Sequence, residues 1–147
     1  MDTAFTAEFA DGEYRFWLPL PELFEFEREN GPLTKFHEDM REGTGLDAEN
    51  NFVFVGGGNA TTKAILDITR LALKGGNQGM VDGEEDEVGP IRAKRLVTDY
   101  CYPARPLAES AALAFRIAST ALFGIKLKAE KKSPSENLTT ENSAKDK

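Results

Sequence analysis

The stretch Asn51 to Gly76, NFVFVGGGNATTKAILDITRLALKGG, sets the tightest limits on how this chain can fold. Ile65, Ile68, Leu71 and Ala72 recur at helical spacing, Leu66 and Leu73 widen the stripe, and Lys63, Asp67, Arg70 and Lys74 stay outward. A helix with that pattern buries one face, so the rest of the chain must pack on it. Asn59 is the expected N-cap, with Thr61 and Thr62 in the first turn, and Gly75 the expected left-handed stop. The apolar run Phe52 to Val55 and the triplet Gly56 to Gly58 ahead of the helix have the parts of a phosphate loop, but the spacing excludes one. A Walker loop needs Lys and then Ser or Thr directly after its last glycine, whereas Lys63 follows Thr62 and precedes Ala64. The third glycine of a dinucleotide fingerprint is also missing near position 61.

Upstream, TAFTAEFADGEYRFWL (3–18) alternates apolar and polar residues on either side of Asp11-Gly12, which predicts a β-hairpin. Phe5, Ala7 and Phe9 share a face, as do Tyr14, Phe16 and Leu18, while Trp17 points the other way. A lone hairpin is marginal in water, so its aromatic face is expected to pack on the helices that follow. Pro19 ends the strand. Pro21 opens a helix to about Asn30, with Gly31 as its stop and Leu23 and Phe24 turned inward. Glu22, Glu25, Glu27 and Glu29 on that helix read as a solvated face, and a carboxylate acid and base pair there is the weaker alternative. A second short helix, Pro32 to Arg41, repeats Leu33, Phe36 and Met40, with His37 at the border of its apolar face. Gly43 to Asn51 reads as loop, and Phe52 to Val55 as either a short strand or a buried lead-in.

Beyond the central helix, GGNQGMVDGEEDEVG (75–89) reads as an acidic loop. It fails the EF-hand pattern, because the sixth position is Glu87 instead of glycine and the distal glutamate is absent. Pro90 opens a helix that must end before Pro103, its apolar side made by Ile91, Leu96, Val97, Tyr100 and Cys101. Pro106 starts an alanine-rich helix that Gly124 closes, with Leu107, Ala111, Ala114, Phe115, Ala118 and Leu122 in step. From Ile125 onward the chain is polar and aperiodic, and a disordered tail is expected. These readings give an α+β fold in which an N-terminal β-hairpin packs on four to five helices, with one globular domain over 1–124 and a polar tail over 125–147.

Charge narrows the partners. Six lysines against four acids leave the last 22 residues two charges positive, so the rest of a chain of net charge −7 carries nine excess negative charges. An acidic body argues against a nucleic-acid backbone and suits a basic partner. Cys101 is the single cysteine and His37 the single histidine, so neither a disulfide nor a nitrogen- and sulfur-based metal site is expected, and no cofactor is implied. The chain shows no basic-then-apolar leader and no long apolar run, so a cytoplasmic protein without a membrane span is expected. The sequons at Asn59 and Asn137 carry no meaning there.

One further pattern joins the parts: Gly12, Tyr14 and Phe16 of the hairpin, then LPLPELFEFE (18–27), Gly31, AILDITR (64–70), LKGG (73–76) and the closing ALFG (121–124). Across roughly residues 5 to 124 this resembles the small tail-assembly proteins of tailed phages and gene transfer agents, encoded near the major tail protein. The resemblance implies a non-enzymatic tail-assembly chaperone that binds tape-measure or tail-tube proteins during particle assembly, with a homo-oligomer as a further possibility. The same family has also been described as tail tube protein, which makes a structural tail component the runner-up, ahead of a small enzyme using helix carboxylates. This chain departs from the pattern by longer segments at Thr34 to Asn51 and Asn77 to Gly89 and by its tail. A chaperone needs an apolar or aromatic contact surface, for which Phe5, Phe9, Trp17 and Phe26 are the candidates.

Overall fold

The expected hairpin forms, with its turn shifted by one residue. In the computed structural model, which describes residues 2–125, β1 (Phe5–Phe9) pairs antiparallel with β2 (Gly12–Phe16), Phe5 opposite Phe16 and Phe9 opposite Gly12. The two turn residues are therefore Ala10 and Asp11, and Ala10 takes the positive φ of 56°. Gly12 lies within β2 for a different reason: a Cβ there would run into the Met80 backbone carbonyl. Tyr14 and Phe16 are buried on the inner face, where Phe5 stacks on Phe16 at 5.3 Å.

α1 (Leu20–Asn30) and α2 (Leu33–Arg41) follow, each preceded by a proline. Gly31 ends α1 at φ 89°, as expected. Of the two residues expected to turn inward on α1, Leu23 packs against the core, but Phe24 is 58% exposed, and Phe26 is fully buried instead and meets Phe36 edge-on at 5.3 Å. Leu20, Leu23, Phe24 and Phe26 spread over an arc of roughly 160° on α1, with Phe24 and Phe26 at its opposite edges, so periodicity alone does not choose which edge is buried. Leu33, Phe36 and Met40 of α2 all reach the core.

The central helix is α3 (Thr62–Gly76), with Ile65, Ile68, Leu71, Ala72 and Leu73 buried. Its caps differ from expectation. Thr61 is the N-cap, its hydroxyl accepting from the Ala64 N–H at 3.1 Å, and Asn77 is the left-handed C-cap at φ 52°. Gly75 and Gly76 stay helical, and their lack of a Cβ lets the end of α3 lie close against the Trp17 and Arg15 carbonyls, which a Cβ on Gly75 and Gly76 respectively would strike. The glutamates of α1 are only in part a solvated face: Glu29 stays exposed, while Glu22, Glu25 and Glu27 are half-buried. Glu22 pairs with Lys74 at 3.6 Å, Glu25 with Arg70 at 3.4 Å and Glu29 with Lys63 at 3.8 Å, and Glu27 accepts from the Leu33 N–H at 2.9 Å. They tie α1 to α3 and to the start of α2.

Two stretches read as loop contain strands. β3 (Thr44–Leu46) and β4 (Phe52–Phe54) form a separate two-stranded sheet, which settles Phe52 to Phe54 as a strand. β5 (Gly79–Val81) and β6 (Glu84–Asp86) form a second Asp-Gly hairpin, with Asp82 at φ 53° and Gly83 at φ 79°. Val81 lies opposite Glu84, and β5 pairs with β2 through Glu13 and Met80, giving a four-stranded sheet of order β1-β2-β5-β6. The excursion closes where Val88, fully buried, donates its N–H to Asn77 Oδ1 at 2.9 Å.

α4 (Pro90–Tyr100) and α5 (Leu107–Phe123) complete the α+β domain. Ile91, expected on the apolar side of α4, is 75% exposed, and Ala93 is buried in its place. Gly124 ends α5 at φ 83°, and Ile125 N–H then bonds Asp2 C=O at 2.9 Å, bringing the last described residues to the start of the hairpin. Of the tail expected from Ile125 onward, Ile125 alone is described, held by that hydrogen bond, and 126–147 lie outside the described residues.

Candidate functional site

The structure does not gather the four expected contact residues. Phe26 is fully buried and Phe5 is 8% exposed, so neither is open to a partner. Phe5 belongs to the core stack, and the Arg116 guanidinium covers its other side at 4.0 Å. Phe9 is half-buried, edge-on to Tyr14 and Phe16. Trp17 is half-buried on the opposite sheet face, where its Nε1 donates to Thr3 Oγ1 at 3.1 Å and Arg15 lies over the ring at 5.3 Å.

The aromatic surface that does form is elsewhere. His37 and Arg41 lie one turn apart on α2. Phe115, Ser119 and Phe123 follow the same four-residue step along α5. The β3–β4 hairpin adds Thr44, Leu46 and Phe52, and together these residues line an open, largely apolar groove of about 490 Å³. The His37 ring stacks on Phe115 at 4.8 Å and 20° and meets the edge of Phe123 at 5.4 Å, while Phe52 meets Phe115 edge-on at 4.9 Å. Nε2 of His37 is 3.1 Å from Ser119 Oγ. Burial among the rings pushes the His37 pKa below its ordinary value, and the nearby Arg41 charge adds to that, with Glu38 opposing. The imidazole therefore serves as a neutral, flat wall. Phe123 (59% exposed) and Leu46 (47%) stand at the lip, a pair of large apolar side chains facing water.

Sequence reasoning placed His37 at the border of an apolar face, where it is found, but missed the groove. The signal was present in the matching steps His37 to Arg41 and Phe115 to Ser119 to Phe123. Which helix faces which is a tertiary fact.

The remaining chemistry-bearing residues are occupied in packing. Gly56 to Gly58 all take positive φ in a loop that ends three residues before α3, and Gly58 abuts the Asp39 carbonyl of α2, so the glycines shape a backbone crossing. Cys101 is fully buried, and burial pushes its thiol pKa up, away from a reactive thiolate. Among the described residues no group of three or more His, Cys, Asp or Glu side chains is placed to hold a metal ion. No described helix is long and apolar enough to cross a membrane. No protein-family model, curated protein or solved structure matches this chain.

Proposed function

We propose that this protein is a cytoplasmic, non-enzymatic tail-assembly chaperone of the phage or gene-transfer-agent type, which holds a tape-measure or tail-tube protein during particle assembly. The observation that carries the reading is the aromatic groove between α2, α5 and the β3–β4 hairpin, with Phe123 and Leu46 exposed at its lip. Rigid rings in an open groove bury large contact area at low entropic cost, which suits reversible capture of an apolar segment. The resemblance of the LPLPELFEFE (18–27), AILDITR (64–70) and ALFG (121–124) segments supplies the tail context. The α1 carboxylates, engaged with α3 and α2, favour this reading over an acid and base pair.

The test is co-expression with a tape-measure protein of a tailed phage or gene transfer agent, followed by affinity capture and sizing. A stable complex of low stoichiometry is expected, lost in Phe123→Asp while the variant keeps its circular dichroism spectrum. Absence of any complex, together with rings or tubes formed by the purified chain alone, would overturn it in favour of a structural tail component.

A further inference from the structure

The outer face of the four-stranded sheet is open: Thr6, Glu8, Glu13, Met80 and Glu85 on it are all exposed. The strand register sets Glu8 opposite Glu13, Glu13 opposite Met80, and Met80 opposite Glu85, one row across all four strands. Like charges directly opposite each other on neighbouring strands repel. Among the described residues neither Glu8 nor Glu13 has a cationic partner, although much of the acidic surface of α1 and α2 is paired. A depression of about 390 Å³ lies at this place, with both glutamates on its rim and Phe9 and Met80 lining it. Further along the same face, Arg15 lies over the half-buried Trp17, residue types that anchor protein contacts.

We infer that this sheet face docks a partner-protein segment bearing arginine or lysine, its cationic head between the Glu8 and Glu13 carboxylates and its aliphatic stem across Met80. Charge complementarity identifies the occupant. A cation between the two carboxylates removes their repulsion, and its methylene groups cover apolar surface that otherwise faces water. The excess of nine negative charges outside the last 22 residues draws basic segments toward the protein and repels nucleic acid. This surface is distinct from the aromatic groove, and the inference does not depend on the tail-assembly reading.

The probe is a fluorescein-labelled amphipathic peptide of about twelve residues with arginines on one face and leucines on the other, titrated with the full chain and followed by anisotropy. Saturable binding that weakens with salt is expected, and it should fall about ten-fold or more in Glu8→Lys/Glu13→Lys. The milder Glu8→Gln/Glu13→Gln pair should show the same direction with an unchanged fold. Glu42→Lys/Glu49→Lys, which changes net charge equally on another surface, should bind nearly as wild type, as should Phe123→Asp. Loss as large in the Glu42 and Glu49 control would reduce the effect to overall charge and overturn the inference. So would absence of binding, equal binding of the peptide with its arginines replaced by glutamate, or displacement of the peptide by millimolar calcium, which would point to a metal ion as occupant.

Discussion

At the residue scale, identical residue types do different work in different places. Gly12 and Gly83 each follow an aspartate in a hairpin, but Gly83 shares the positive φ of its turn with Asp82, whereas Gly12 makes room for the Met80 carbonyl. The left-handed position of the first turn falls to Ala10. Gly12→Ala should therefore cost about 1–3 kcal/mol through collision with backbone. Ala10→Gly should stay within about 0.5 kcal/mol of wild type or exceed it, since lost strain offsets added chain entropy. Urea denaturation of the two variants checks the pair, and the opposite order would place the turn at Asp11-Gly12 after all. His37 gives a second expectation. Its folded pKa lies below the 6.5 of the unfolded chain, so the unfolded chain takes up the proton first. Stability is unaffected well above that value and declines as pH falls through it. Melting temperatures between about pH 8 and about pH 5.5 should drop more in wild type than in His37→Gln, and equal slopes would show that the imidazole is freely solvated.

At the element scale, local signals located most elements, while their ends and partners depended on packing. The two-residue period and the Asp-Gly signal gave β1 and β2, and helical periodicity with prolines and glycines gave all five helices. The second hairpin carries the same Asp-Gly signal at Asp82-Gly83, but its strands are three residues each and β6 is Glu-Glu-Asp, without an apolar face to read. It is a strand because β2 offers β5 an edge and β6 extends it. The start of α3 shows the same limit: Asn59 and Thr61 are both good caps by type, and in the fold it is the Thr61 hydroxyl that accepts from the Ala64 N–H. Thr61→Ala should then cost about 1 kcal/mol, and Asn59→Ala only a few tenths. Thermal melts of the two variants decide the matter, and a larger loss in Asn59→Ala would move the cap back.

At the scale of the whole molecule, α3 joins the parts, packing against α1, α4, α5 and β2. Ile68 is fully buried in its centre, and Ile68→Asp should leave the chain unfolded, because an unpaired buried carboxylate costs several kcal/mol against a total stability of about 5–15 kcal/mol. Lys63→Ala, on an exposed side chain, should leave the melting temperature nearly unchanged. Because Trp17 is the single tryptophan and sits on the sheet, its fluorescence and the helical circular dichroism should follow one coincident transition. Separate midpoints would mean that sheet and helices unfold independently. The sequence alone determined the α+β class, the five helices, the first hairpin and the core stripe of α3, since these rest on periodicity, prolines and turn residues acting within a few positions. The tertiary structure alone decided that Phe26 instead of Phe24 enters the core, that Phe5 and Phe26 are closed to partners, that a second hairpin widens the sheet, and that His37, Phe52, Phe115 and Phe123 meet in a groove. Those outcomes depend on which surfaces of distant segments face one another, which no local run of residues encodes.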